Sequence, residues 1–175
     1  MKKPNRLVMQ GFSLFELIVV GLISAILIAM GIPSLSEMLV IDRPKRMLVS
    51  LDRALSYARL QAIYSGERIT LCPLLENRCI RSEWHNELTI FIDKGQLRSF
   101  DKEDVKLRVI EHIPVLDELT YPRHAVIFKH TGSTWGLANG TFVYCTTHRD
   151  GSKSGKALSL SVTGRTTLKD TRLCN

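Results

Sequence analysis

The side chains able to do chemistry are few and scattered. Cysteines stand at 72, 79, 145 and 174, and four thiols allow three disulfide pairings. Cys72, Cys79 and His85 could be assembled into a zinc site on paper, but neither cysteine pair has the close C-x-x-C spacing of such sites. The histidines, at 85, 112, 124, 130 and 148, form no H-E-x-x-H or other ligand pair. His148 follows Thr146-Thr147 and reads as a solvated loop side chain. No serine lies in G-x-S-x-G and no P-loop is present, which excludes those hydrolases and a P-loop ATPase. Asp101, Glu103 and Asp104 stand beside Lys102 and Lys106 and read as solvated surface. Trp84 and Trp135 read as core or turn-packing residues. The pattern predicts no enzyme, no metal site and no cofactor.

Two features remain. Glu16 is a carboxylate at the start of a long apolar run, where an unpaired charge is expensive. At the other end, the segment from Cys145 to Asn175 carries Arg149, Lys153, Lys156, Arg165, Lys169 and Arg172 against Asp150 and Asp170, a local +4. Such a patch can meet phosphates without reading bases.

The elements that hold these residues follow from composition. The chain has 175 residues, 45% hydrophobic and 23% charged, with a net charge of +7. That is enough for one domain with an appendage and is neither disordered nor low-complexity. Residues 1–11 carry Lys2, Lys3 and Arg6 and no acid; from Leu17 to Ile32 there is no charge and Ser24 is the single polar side chain. An ordinary signal peptide would explain the basic start and apolar run. Glu16 and the absence of a small-x-small site near Pro33 argue against it. Phe12 to Ile32, as a helix, reaches about 31 Å, enough to cross a bilayer of about 30 Å with its basic end on the cytoplasmic side.

Gly11-Phe12-Ser13-Leu14-Phe15-Glu16-Leu17 resembles the class III signal of type IV pilins and type II secretion pseudopilins. The resemblance implies cleavage by a prepilin peptidase between Gly11 and Phe12 and N-methylation of Phe12. It also implies pairing of Glu16 with the N-terminal amine of a neighbouring subunit. Pro33 matches the proline often found at the end of the membrane part of the pilin helix.

Beyond Pro33, Leu35, Met38 and Leu39 continue a helical pattern as far as the polar patch Asp42-Arg43-Pro44-Lys45-Arg46, where Pro44 should kink or restart the helix. Apolar residues at 48, 51, 55, 58 and 62 make one helical face, with Arg46, Arg53 and Arg59 more exposed, and Ser65-Gly66 ends the element. Six strands are expected: 68–72, 88–92, 106–110, 125–129, 141–145 and 157–162. Residues 96–108 read as a surface loop or hairpin, and Asp150–Lys156 as a flexible basic loop.

The order and spacing of further motifs are similar to the GspH/FimT group of minor pilins and pseudopilins. They are Leu55–Ile63, Gly66–Cys72, Trp84, Phe91-Ile92-Asp93 with Gly95, Ile127-Phe128, Gly132, Asn139–Phe142 and Leu160–Arg165. The implied fold is α+β, type IV pilin-like: a long N-terminal helical spine packed on a small antiparallel β-rich head with a disulfide-pinned C-terminus. The expected parts are a leader (1–11), a transmembrane and filament-core helix (12–33), an amphipathic continuation (34–65) and an exported head (66–175). An exported head is in a compartment where disulfides persist. There, Cys72–Cys79 closes a short loop at a strand end and Cys145–Cys174 pins the tail.

The expected function is that of a non-enzymatic minor type IV pilin at the filament tip, priming or supporting assembly. Its expected partners are a prepilin peptidase, other major and minor pilins or pseudopilins, and an inner-membrane assembly platform. The subunit would sit in the bacterial inner membrane with its head in the periplasm, then in the pilus. The alternatives are a GspH-like pseudopilin of type II secretion and a FimT-like DNA receptor. Some FimT-like proteins bind DNA through Gly-Arg-x-Arg; this chain has Gly164-Arg165-Thr166-Thr167, without the second arginine. The implied double-stranded DNA contacts are Lys153, Lys156, Arg165, Lys169 and Arg172.

Overall fold

The computed structural model describes residues 13–111, 113–115, 117–148 and 150–174, with the side chains of 30–39 outside the description. The chain divides into two compact units, Met1–Leu39 and Val40–Asn175.

Helix α1 spans Leu14–Ile41, 28 residues. Its backbone stays helical through position 33 rather than breaking there. The side chains of Leu14, Phe15, Leu17, Ile18, Leu22, Ile26 and Ile28 are exposed. Among the described residues no helix is long and apolar enough to cross a membrane. The expected span, Phe12 to Ile32, begins and ends outside the described side chains.

In the second unit, α2 spans Arg43–Ser65. The break falls at the turn residue Asp42, and Pro44 occupies the first turn of α2, where its missing N–H costs nothing. The helix ends at Gly66, whose φ of 73° is the left-handed conformation a C-cap glycine adopts; its N–H bonds Ala62 O. Leu48, Leu51, Leu55, Ala58 and Ala62, the expected stripe, are all buried. Fully burying each leucine contributes on the order of 2 kcal/mol. The small Ala58 and Ala62 let the helix approach the strands closely.

Two antiparallel sheets complete this unit. In the first, β1 (Ile69–Leu75) pairs on one side with β3 (Leu88–Ile92), which pairs in turn with β4 (Val105–Ile110). Its other edge takes β6 (Val126–Phe128) and, further along, the short β2 (Arg78–Cys79). The second sheet has the order β5 (Asp117–Thr120), β7 (Gly140–Thr147), β8 (Lys153–Leu160), β9 (Thr166–Asp170). Helix α2 packs on β1 and β6 of one sheet and β7 and β8 of the other. Trp84 is buried between them, edge-on to Tyr121 and Phe142, which stack at 3.9 Å.

All six expected strands exist, but β2, β5 and β9 were not expected. Residues 105–108, the end of the expected surface loop or hairpin, belong to β4 with the expected strand 106–110, and β8 begins at Lys153, so four of the seven residues of the supposed flexible loop 150–156 are strand.

Candidate functional site

Three regions carry the residues with functional potential. The first is the start of α1. Ser13 caps the helix: its Oγ accepts the Glu16 N–H at 3.2 Å, and its carbonyl accepts Leu17 N–H. Ser13-x-x-Glu16 is the spacing of a capping box, an N-terminus signal present in the sequence but hidden there inside the stretch that resembles a class III signal. A carboxylate in the first turn also suits the positive end of the helix dipole. Gly11 and Phe12 lie outside the described residues, as do Lys2, Lys3, Arg6, His112 and Arg149.

The second region is the C-terminal sheet. Cys145 is joined to Cys174, with Cα atoms 5.5 Å apart, and Cys72 is joined to Cys79. The strand register sorts the basic residues. Phe142, Tyr144 and Thr146 are buried on the inner face of β7, opposite Leu158, Lys156 and Ser154. Lys156 therefore lies on the inner face, at its edge, where it pairs with Asp170 at 2.5 Å and holds that carboxyl below the usual range. Lys153 and Lys169 alternate to the outer face. They are separated there by the staple, because Gly155, opposite Cys145, lies between their registers. A Cβ on Gly155 would lie 2.3 Å from Cys174 Sγ.

The basic residues are thus sorted among several places. Arg165 and Lys169 share an open groove with Thr141, Ser159, Thr163 and Thr167. No described acid lines it. Lys153 and Arg172 are exposed but outside that groove, and Lys156 is taken by Asp170.

Arg165 is presented by a tight turn. Ser161 N–H donates to Arg165 O, and Gly164 N–H to Ser161 O. Gly164 has φ 75°, and a Cβ there would stand 2.3 Å from Gly132 O. That same carbonyl accepts the Nε–H of Arg59 at 2.9 Å, so Arg59 is half-buried and clamped rather than a free surface cation. The glycine of Gly164-Arg165 is thus required by packing between two loops.

The third region is polar and buried. Asp117, on the unexpected β5, accepts hydrogen bonds from Tyr144 Oη at 2.6 Å and from Thr146 Oγ1, and pairs with Arg43 Nη1 at 3.3 Å. Burial and this bond push the Tyr144 phenol well above its ordinary range. Asp93 is also buried. Its Oδ2 accepts from Thr70 Oγ1 and Arg98 N–H, while Oδ1 has no partner among the described residues. Burial raises its pKa, with Asp104 adding to the rise and Thr70, Arg98 N–H and Arg68 opposing it. Asp104 is not solvated surface: its carboxylate accepts the N–H groups of Lys94, Gly95 and Asp101. Asp101 likewise accepts Gln96 and Glu103 N–H. These acids are spent on shaping one turn.

His148 Nε2 lies 2.7 Å from Ser154 Oγ rather than free in solvent. His85 and His124 line a second open pocket with Arg81 and Glu118. Among the described residues no group of three or more His, Cys, Asp or Glu could hold a metal ion. Trp84 is core, its Nε1–H bonded to Arg123 O, whereas Trp135 is a turn residue left 41% exposed.

This architecture, with α2 laid on two antiparallel sheets and a stapled C-terminal strand pair, is that of a type IV pilin head. Residues 49–164 match the family model described as Type II transport protein GspH, and the chain belongs to that family. Its fold is similar to crystal structures of the type IV minor pilin FimU of Pseudomonas aeruginosa strain PAO1. One form matches at 20% identity and a TM-score of 0.59, over 79% of this chain and 99% of that one. A second form matches at 21% identity and 0.53, over 72% and 95%. Among curated proteins no relative matches the chain. The family is described as one of type II transport, and the fold is that of a type IV minor pilin.

Proposed function

We propose that the chain is a minor pilin subunit that primes or supports filament assembly from the tip. A prepilin peptidase cuts after Gly11, Phe12 is methylated, and α1 holds the subunit in the inner membrane with its head in the periplasm. The assembly platform then lifts it into the filament beside other pilins. The observation that carries this reading is the Ser13–Glu16 cap. It caps the helix at the residue after the proposed new N-terminus, leaving Glu16 in the first turn with an exposed side chain. Among the described residues of its own apolar helix no cation stands to pair with that carboxylate, and the amine of a neighbour is the cation that fits it. Glu16→Ala should leave the head folded and reduce recovery of the subunit in sheared filaments. Normal recovery would remove the pairing role. The family description points to type II transport and the fold likeness to a type IV pilus. The filament from which the chain is recovered separates the two machines.

A second reading, DNA capture by the head, is supported by the Arg165–Lys169 groove, which offers two cations and several hydroxyls with no lining acid. Two or three phosphate contacts give a shallow salt dependence, a slope of about two to three. Duplex binding that vanishes in the Arg165→Ala, Lys169→Ala double variant would support it. Binding that survives would move the site elsewhere.

A further inference from the structure

Beside the groove lies a feature that two phosphate contacts leave unused. Trp135 sits on the 134–139 loop, fixed by its N–H to Ile127 O and by its carbonyl accepting Ala138 N–H. Two cations lie over its ring, each 5.7 Å from the centroid: the Arg68 guanidinium and the Lys129 ammonium. Each is near the outer reach of a cation–π contact, about 6 Å. Arg68 is itself held, donating to the carbonyls of Asp93 and Lys94. Lys129 makes no ion pair among the described residues. Glu67, the acid next to Arg68 in sequence, is taken by Lys94 at 3.6 Å.

The loop is continuous with the groove. Thr134 donates to Val162 O from both its N–H and its Oγ1, tying the 134–139 loop to the turn that carries Arg165. Asn139, at the other end of the same loop, and Thr163, next to Val162, both line the groove. An indole left 41% exposed, with two cations over its ring and its loop tied to a cationic groove, has the parts of a site for single-stranded nucleic acid. The exposed part of the ring takes a base face, and the cations that lie over the ring meet the flanking phosphates. A duplex keeps its bases stacked inside and cannot offer one to the ring.

We propose that Trp135, with Arg68 and Lys129, is a stacking site for an unpaired base of a DNA strand whose neighbouring phosphates lie in the Arg165–Lys169 groove. This rests on the DNA reading above and adds to it a preference for single-stranded over paired DNA.

The full chain in detergent is titrated with three labelled probes at low salt: a thymidine 20-mer, an abasic strand of equal length, and a 20-base-pair duplex. The abasic strand has the same phosphates and no bases, so it isolates stacking without any mutation. The thymidine strand should bind about tenfold more tightly than the abasic one. It should also quench the indole emission of the exposed Trp135. Trp135→Ala should erase the difference between the two strands, Trp135→Phe should keep part of it, and Arg165→Ala with Lys169→Ala should weaken all three probes. Equal affinity of the wild-type chain for thymidine and abasic strands overturns the stacking site. In that case, duplex binding that is sensitive to Arg165 and Lys169 leaves the groove reading standing. No binding of any probe at about 100 μM protein, the weak end of non-specific affinity, removes both.

Discussion

The Tyr144 hydroxyl donates to the Asp117 carboxylate at 2.6 Å across the interior of the second sheet. That carboxylate also takes Thr146 Oγ1 and faces Arg43 at the start of α2. One buried acid thus ties β5 to β7 and both to the helix. Removing it leaves a tyrosine and a threonine hydroxyl without an acceptor in a site closed to water. Asp117→Ala should cost about 3 kcal/mol, and Tyr144→Phe, which removes one donor, about 1 kcal/mol. Urea unfolding midpoints of the two variants against wild type check both.

The same phenol sets the alkaline limit. Burial first, then the bond to Asp117, raises the Tyr144 pKa in the folded state, and burial raises that of Tyr121. The unfolded chain releases these protons near pH 10 while the folded one keeps them, so stability is intact below that value and falls as pH rises above it. Absorbance of the tyrosinate band should show these two tyrosines ionising only as the fold is lost. Ionisation of all tyrosines in a chain that remains folded would contradict this.

Asp93 works in the acid range with the same sign. Its raised pKa means that the folded state holds a proton more tightly than the unfolded state. Its contribution is therefore full below about pH 4, the ordinary carboxyl range, and declines as pH rises through the higher folded value. Asp93→Asn, which cannot ionise, should flatten the change in stability between pH 4 and pH 7. An unchanged profile would place the titration elsewhere.

What was legible in the chain was local. The steps 48, 51, 55, 58 and 62 fix a helix face by themselves, Gly66 marks its end, and the apolar run 88–92 is a strand whatever it pairs with. What was hidden depends on partners far away in sequence. Asp-Glu-Leu-Thr at 117–120 looks like a loop until Arg43 and Tyr144 supply the contacts that let Asp117 be buried. Thr166–Asp170 is nearly all exposed, so it carries little apolar signal and becomes a strand through pairing with β8. Charge counting grouped Lys156 with Arg165, whereas side-chain alternation along β8 puts Lys156 on the opposite face. Carboxylates at 101 and 104 looked solvated because the backbone N–H groups they accept leave no mark in a sequence.

The C-terminal staple closes a loop of sequence separation 29. Replacing Cys145 and Cys174 by serine should cost about 3 kcal/mol, chiefly by freeing the unfolded chain. Gly164→Ala should cost on the order of 1–3 kcal/mol, because it places a side chain at positive φ against Gly132 O. Denaturant midpoints test both. Non-reducing peptide maps test the pairing itself, which crossed linkages or four free thiols would refute.

The central claim is that this chain is processed and built into a filament. Mass spectrometry of the sheared filament fraction tests it most directly. The account predicts a peptide from this chain that begins at N-methylated Phe12 in that fraction, lost from the filaments in Glu16→Ala cells. A chain that begins near Ser34, or one that keeps residues 1–11 and stays in the membrane, would contradict it.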